Sequence, residues 1–239
     1  MDNRYFFEKA DKEYVTITGQ EFVHLTKVRR ACIKDSINAF CLDGYDYSLT
    51  IERIEKSQAV CRIEDKTLNN ANNRPNITVY LASIKQDALK EALDNLTQLN
   101  IKEIRVFESV YSNAKYTNDK IDKLKNNLIQ FAKQCERAEI PNIRFITFKE
   151  MIEELKSNDI NIFAYENAKE NFLTLNVSEY KDKKISLIVG GEGGFEPSEV
   201  EQLDRLAKRV SMGKTILRAP VAVTSLVAVV MSSLGEWQR

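Results

Sequence analysis

Glycines near the end of the chain have the spacing of a loop that lies against a ligand. The apolar run Ile185–Val189 predicts a buried strand, and five residues follow it: Gly190, Gly191, Glu192, Gly193 and Gly194. Only glycine lets a backbone turn this tightly and approach a ligand closely. The chemistry predicted here is therefore recognition by backbone groups. A second short turn at Met212 and Gly213 leads through Arg218 into an apolar segment.

Spacing argues against two nucleotide-binding motifs. Gly213-Lys214-Thr215 looks like the tail of a phosphate-binding P-loop, but that motif needs glycine at position 208, which is Lys208. The glycine loop resembles part of a Rossmann fingerprint, yet Glu196 occupies the third glycine position and the loop lies far from the first strand-turn-helix unit. A pair of tight turns between core elements is the structural alternative, because glycine clusters mark turns in any fold.

The two loops resemble a known family. The segments Gly190-Gly-Glu-Gly-Gly-Phe195 with Ser198-Glu199, and Met212-Gly-x-x-Ile-Leu-Arg218, are similar to the paired signature of RsmE-type rRNA uridine-N3 methyltransferases of the SPOUT superfamily. Further similarity is found at Arg4-Tyr-Phe-Phe7, His24-Leu-x-x-Val-x-Arg30 and Gln134-Cys-x-Arg137-x-x-x-Pro141. The resemblance implies methylation of N3 of a uridine in 16S rRNA of the small ribosomal subunit, with S-adenosyl-L-methionine as cofactor and no metal.

The resemblance also implies the residues that carry this activity. Methyl transfer is a direct displacement that needs positioning rather than a covalent intermediate. The implied cofactor-binding residues are Tyr165, Glu166, Gly190, Gly191, Glu192, Gly193, Gly194, Met212, Gly213, Ile216 and Leu217. Arg218 is the implied catalytic residue, because a cation near O2 or O4 stabilises a uridine that loses its N3 proton. A salt bridge from Arg218 to Glu192 or to the C-terminal carboxylate is the alternative, and the sequence identifies no general base.

Basic residues cluster on a predicted helix at residues 21–30. Lys27, Arg29 and Arg30 form either a solvated helix face or a patch that contacts phosphates. The resemblance implies a PUA-like barrel in this part of the chain, a fold used to hold RNA. The implied RNA-binding residues are Arg4, His24, Lys27, Arg29, Arg30 and Arg137.

Composition excludes several other classes of protein. The 239 residues carry 35 basic and 35 acidic side chains, so RNA would be held by a local patch rather than by the whole surface. Cys32, Cys41, Cys61 and Cys135 show no CxxC spacing and sit in apolar patterns, which predicts reduced core thiols. A single histidine argues against a histidine-rich metal site. Without a signal-peptide layout or an apolar run of about 20 residues, we expect a cytoplasmic protein that does not enter a membrane.

Periodicity predicts two domains. Strand-length runs fill residues 4–65, with a hairpin signal at Asp43-Gly44, and the Asn-rich stretch 66–75 is the best linker. Beyond it, strands alternate with helices, which predicts an α/β fold with a mostly parallel sheet covered by helices on both faces. We assign residues 1–70 to the PUA-like RNA-binding domain and 74–239 to the SPOUT domain. The resemblance implies a trefoil knot in the second domain.

Two helices flank the second loop. Pro197 suits a first helical turn, and Ser198 with Glu201 fits a capping box. The segment 221–231 is apolar nearly all round, which predicts a helix that is buried on more than one side. Because the family forms dimers, the resemblance implies a homodimer with this helix at its interface, and burial within one chain is the alternative.

The chain departs from the family pattern at several places. Gly191 stands where the family has proline, Pro220-Val221 replaces Glu-Thr, and Val110-Tyr111 replaces Glu-Arg. Two family glycines are replaced by Asn100 and Glu136. Two alternatives therefore stay open: a catalytically weakened SPOUT-fold protein that binds rRNA or assists assembly without transferring methyl groups, and a SPOUT methyltransferase with a different RNA nucleotide as target.

Overall fold

The computed structural model describes residues 4–112, 114–117, 120–169 and 177–237, and the chain divides into two compact units. The first unit comprises Met1–Asn73 and Ile129–Ile140, and the second comprises Arg74–Leu128 and Pro141–Arg239. The break between residues 73 and 74 falls inside the Asn-rich stretch. No sequence signal marks the return at Ile129–Ile140, a segment that lies within the range 74–239 assigned to the second domain.

One mixed five-stranded sheet forms the first unit. Its elements are β1 (Arg4–Phe6), β2 (Tyr14–Thr18), α1 (Gly19–Val23), β3 (Ser36–Phe40), β4 (Tyr45–Ile54) and β5 (Gln58–Leu68). The strand order is β1-β3-β4-β5-β2, in which only β1 and β3 pair in parallel. The predicted hairpin between β3 and β4 is confirmed, and Gly44 supports it with φ of 85°. Alternating buried residues such as Val15 and Ile17 on β2 face the core.

The predicted helix at 21–30 has a different form. α1 ends at Val23 and continues as a π-helical turn (His24–Val28), in which the Arg29 amide donates to the His24 carbonyl over 3.0 Å. Arg30 then leaves the helical region with φ of 55°. The wide turn buries Leu25 completely while Lys27 stays exposed. Local spacing alone therefore misplaced both ends of this helix.

A second sheet, parallel throughout, forms the second unit. Its elements are β6 (Ile77–Ala82), α2 (Gln86–Gln98), β7 (Glu103–Glu108), α3 (Lys120–Gln134), β8 (Asn142–Thr147), α4 (Phe148–Leu155), β9 (Ile160–Ala164), β10 (Ile185–Val189), α5 (Pro197–Asp204), β11 (Lys208–Val210) and α6 (Ala219–Ser233). From Ile129 onward, α3 belongs to the first unit. The strand order is β11-β9-β10-β6-β7-β8, which confirms the predicted α/β fold with a mostly parallel sheet.

Helices cover both faces of this sheet, since all five residues of β10 are buried. α4 and α5 share a core cluster with the sheet through Met151, Leu155 and Leu203. α2 and α6 pack against each other, and the side-chain amide of Asn95 donates to the Thr224 hydroxyl over 3.1 Å. No helix in the described part of the chain is both long and apolar enough to cross a membrane.

The start of α5 corrects the predicted capping box. The box is formed by Glu196 and Glu199, not by Ser198 and Glu201. The reason is Pro197, which occupies the first helical position and so makes residue 196 the N-cap. The Glu196 side chain accepts a hydrogen bond from the Ser198 amide, and Glu199 accepts one from the Glu196 amide.

Other sequence expectations also need correction. Cys61 is buried, which raises the pKa of its thiol to about 12, but Cys32 is exposed and is not a core residue. Asn100 and Glu136 adopt left-handed backbone conformations, with φ of 60° and 61°. Glycine adopts that conformation without strain, which accounts for the glycines of the family pattern at these positions.

Candidate functional site

Four parallel strands end side by side at one edge of the second sheet. Val189 at the end of β10 pairs with Ala164 of β9 on one side and Leu81 of β6 on the other, and Ala164 pairs with Val210 of β11. The loops that follow these strands therefore lie together. Ligands bind at this edge of parallel sheets, particularly where the strand order reverses, as it does around β10.

A cleft opens between these loops and the first turn of α6. It is lined by nine of the predicted cofactor-binding residues: Tyr165, Glu166, Gly190, Gly191, Gly194, Met212, Gly213, Ile216 and Leu217. Sequence reasoning missed other lining residues, namely Ala164, Val189, Phe195, Thr215, Ala219 and Ala222. Most of these are strand-end or helix residues whose periodicity suggests only core packing. The glycine loop is therefore part of a cleft.

Backbone geometry explains two of the glycines. The Gly194 amide donates to the Gly191 carbonyl over 3.1 Å, and this tight turn holds Gly194 at φ of 70°. A Cβ atom at Gly190 would lie 3.0 Å from the ring of Phe195, which packs in the core against Phe107 and Phe163. A Cβ atom at Gly191 would meet only ordinary contacts of 3.7 Å, so space does not demand glycine there.

The remaining two residues of the loop do not line the cleft. A Cβ atom at Gly193 would lie 2.9 Å from the Cβ atom of Tyr111, so Gly193 is required by its packing against the loop after β7. Glu192 forms an ion pair with Lys85 at 4.0 Å on the surface. Exposed pairs of this kind add little stability. These two residues form the outer side of the glycine loop.

The loop after β7 is held in place by a buried carboxylate. Glu199 of α5 is 3% exposed and accepts hydrogen bonds from the Ser109 hydroxyl at 2.8 Å and the Val110 amide at 3.0 Å. It also accepts from the Glu196 amide at 3.0 Å. Three donors satisfy this buried charge, so the start of α5 and the residues after β7 are fixed together.

Charge in the cleft favours a cationic or neutral ligand. Of the described residues that line it, Glu166 alone carries a charge. The rest offer glycine backbone, apolar side chains and the hydroxyls of Tyr165 and Thr215. A polyphosphate needs lysine or arginine partners that this lining lacks. An uncharged base and ribose beside a positive centre fit the lining better.

Arg218 stands at the N-cap of α6, with its carbonyl accepting the Ala222 amide at 2.9 Å. Its side chain is exposed and forms no ion pair with the described residues. Glu192, the alternative partner, forms an ion pair with Lys85. A positive charge at the amino end of a helix is disfavoured by the helix dipole, so Arg218 does not stabilise its own helix. The C-terminal carboxylate lies outside the described residues.

The residues predicted to bind RNA separate into two groups. Lys27, Arg29 and Arg30 are exposed, and His24 is half-buried with its ring 5.9 Å from that of Tyr5. Arg4 instead pairs with Asp46 at 2.6 Å and donates to the Arg137 carbonyl at 2.8 Å.

Arg137 is only 2% exposed, so its guanidinium is not accessible to RNA in this structure. This burial contradicts the prediction that Arg137 contacts RNA. Arg4 and Arg137 support the first unit from inside.

In the described residues, no group of three or more His, Cys, Asp or Glu side chains is arranged to hold a metal ion.

Comparisons with known proteins relate the chain to RNA methyltransferases. A family model described as RNA methyltransferase domain matches residues 71–231. Proteins named "Ribosomal RNA small subunit methyltransferase E" from Rickettsia conorii and Bacillus subtilis are 29% and 26% identical, over 92% of this chain and 90% and 92% of those proteins. A solved structure of a protein of that name from Neisseria gonorrhoeae, bound to S-adenosyl methionine, shares the fold with a TM-score of 0.83, at 20% identity over 96% of this chain and 97% of that one.

Proposed function

The chain belongs to the RNA methyltransferase domain family, and on that premise we propose that it transfers a methyl group from S-adenosylmethionine to N3 of a uridine in 16S rRNA of the small ribosomal subunit. The observation that carries the proposal is the cleft at the carboxyl ends of β9, β10 and β11, which lies within the matched residues. The names of the relatives from Rickettsia conorii and Bacillus subtilis support the small subunit as the substrate.

The residues of the cleft fit this cofactor. S-adenosylmethionine supplies a methyl group on a cationic sulfonium and brings a neutral base and ribose. The backbone of Gly190, Gly191 and Gly194 offers N–H and C=O groups, and Met212 and Leu217 offer apolar contact. The carboxylate of Glu166 lies beside Gly194, because a Cβ atom added to Gly194 would be 3.6 Å from its Oε1 atom. Its negative charge would favour the binding of the cationic sulfonium. Tyr165, Gly213 and Ile216 complete the proposed site.

Arg218 is the proposed catalytic residue. Uridine N3 must lose its proton before it attacks, and the resulting negative charge spreads to O2 and O4. A guanidinium fixed beside these oxygens stabilises that charge where it develops. Arg218 suits this role because it is exposed beside Leu217 of the cleft and has no ion pair with the described residues.

We propose that the exposed basic cluster of Lys27, Arg29 and Arg30 contacts rRNA phosphates. Lysine and arginine grouped on one element give a neutral protein the local charge that RNA binding needs. From the family resemblance we also propose that the first unit is a PUA-like barrel, that the second is a knotted SPOUT domain, and that the protein is a homodimer. The less buried side of α6, which includes exposed Val221, is the surface proposed for the second copy.

The test is transfer of labelled methyl from S-adenosylmethionine to small ribosomal subunits from cells that lack this gene, followed by mapping of the modified nucleotide. We expect label at N3 of one uridine. Label at another position would mean a different target nucleotide. An absence of label from a folded protein on competent subunits would favour a binding or assembly role.

A further inference from the structure

Two exposed apolar side chains follow β7 at the edge of the glycine loop. Val110 is 65% exposed and Tyr111 is 46% exposed. A single exposed apolar residue is ordinary on a protein surface. Here, however, two lie side by side in a loop that contacts the glycine loop of the cleft. Packing inside the protein does not explain why two exposed apolar residues lie here.

The backbone that carries them is fixed from both ends. The buried Glu199 carboxylate holds the Ser109 hydroxyl and the Val110 amide. The Ser109 amide donates to the Ser112 hydroxyl at 2.9 Å, and the Ser112 amide returns a hydrogen bond to the Ser109 carbonyl at 3.0 Å. The loop thus presents Tyr111 in one backbone conformation, and a ligand that binds there does not have to order it.

Tyr111 lies on the glycine loop itself. Its Cβ atom occupies the space that a side chain at Gly193 would need, at 2.9 Å, and its Cγ atom lies at 3.6 Å. Gly191 and Gly194 of the same loop line the cleft on the other side. An exposed phenol ring is therefore held one loop away from the place proposed for methyl transfer.

We propose that Tyr111 stacks on an unpaired base of the target RNA strand and so positions that strand at the cleft. This inference rests on the proposed function. N3 lies on the pairing edge of uracil, so the target must be unpaired before it reacts, and unpaired bases are commonly held by stacking on aromatic side chains. Val110, the preceding residue, adds a second exposed apolar side chain to this loop.

The test compares Tyr111→Ala, Tyr111→Phe and the control Tyr14→Ala, which removes a tyrosine of similar exposure, 39%, from β2. Methyl transfer to small subunits gives KM and kcat, calorimetry gives the Kd for S-adenosylmethionine, and light scattering gives the mass in solution. We expect Tyr111→Ala to raise KM for subunits about tenfold and Tyr111→Phe to stay within about twofold of wild type. The cofactor Kd, the mass and the Tyr14→Ala variant should be unchanged.

Three results would overturn the inference. Tyr111→Ala with a wild-type KM would show that the ring contacts no RNA. An equal loss in Tyr111→Phe would assign the effect to the hydroxyl instead of stacking. A lower mass for Tyr111→Ala would make the loop a contact between copies of the chain. If the wild-type protein transfers no methyl group, the proposed function fails separately, and filter binding of subunits by the same variants still decides the role of Tyr111.

Discussion

Replacing Glu199 should destabilise the second unit more than any change at a surface carboxylate. Its Oε2 atom accepts from the Ser109 hydroxyl and the Glu196 amide, and its Oε1 atom accepts from the Val110 amide. Glu199→Ala leaves two backbone amides without their acceptor, and a buried donor without a partner costs about 1–3 kcal/mol. Because Ser109, Val110 and Glu199 line a surface cavity that water can enter, we expect a total loss of about 3 kcal/mol, in the lower half of the range for two amides. Glu199→Gln keeps one acceptor oxygen and loses chiefly the hydrogen bond from the Val110 amide. We expect this variant to lose about 1.5 kcal/mol of stability.

Thermal unfolding is the assay. In a chain of this size each kcal/mol lowers the midpoint by about 2–4 °C, so Glu199→Ala should unfold about 6–12 °C earlier than wild type and Glu199→Gln about half as much. The matched control is Glu201→Ala on the same helix, where an exposed pair with Arg205 contributes under about 0.5 kcal/mol. If Glu199→Ala has the same unfolding midpoint as the control variant, this carboxylate does not anchor the loop after β7 and the reasoning is wrong.

Three further predictions concern other parts of the chain. Arg218→Gln should lower kcat by about 100–1000-fold while calorimetry shows an unchanged cofactor Kd, and a wild-type kcat would remove Arg218 from the chemistry. Burial and the nearby Glu154 carboxylate raise the pKa of Tyr80 to about 12 from its ordinary value of 10.0, so its contribution to stability is complete below pH 10 and is lost as pH rises through 12. Midpoints measured across that window should therefore fall less steeply for Tyr80→Phe than for wild type, and parallel curves would contradict the shift. Glu136→Gly should raise the free energy of unfolding in urea by about 0.5–1 kcal/mol because it relieves the left-handed strain, whereas a loss would mean that the glutamate makes compensating contacts.

Local patterns were enough to predict the elements that build the second sheet. The strand at Ile185–Val189 is confirmed residue for residue, because a continuous apolar run ending in glycine has few other interpretations. The order of strands was beyond reach, since nothing in the sequence says that β10 lies between β9 and β6. The preference of proline for the first helical position places the N-cap at Glu196, and here it outweighs the capping preference of Ser198.

Sequence patterns identified residues of the cleft where the backbone conformation demands glycine, whereas tertiary packing decides the positions of other residues. Gly190 and Gly194 line the cleft, and both positions favour glycine, because a Cβ atom at Gly190 would meet the Phe195 ring and Gly194 has φ of 70°. Gly193 has the same sequence signal, yet it faces Tyr111, a residue more than 80 positions away in the chain. Arg137 carries the charge typical of an RNA contact, but its burial depends on the return of Ile129–Ile140 to the first unit.

That return has a consequence for how the protein is made. The small core around Phe40 is completed by Ile129, Ala132 and Ala138, and Arg4 bonds to the carbonyl of Arg137. A ribosome that adds about 5–20 residues per second needs roughly 3–13 s to extend the chain from residue 74 to residue 140. During that interval the amino-terminal sheet lacks its closing segment and leaves Phe40 uncovered. Folding of the first unit therefore cannot be complete until Arg74–Leu128 of the second unit and the closing segment have been translated.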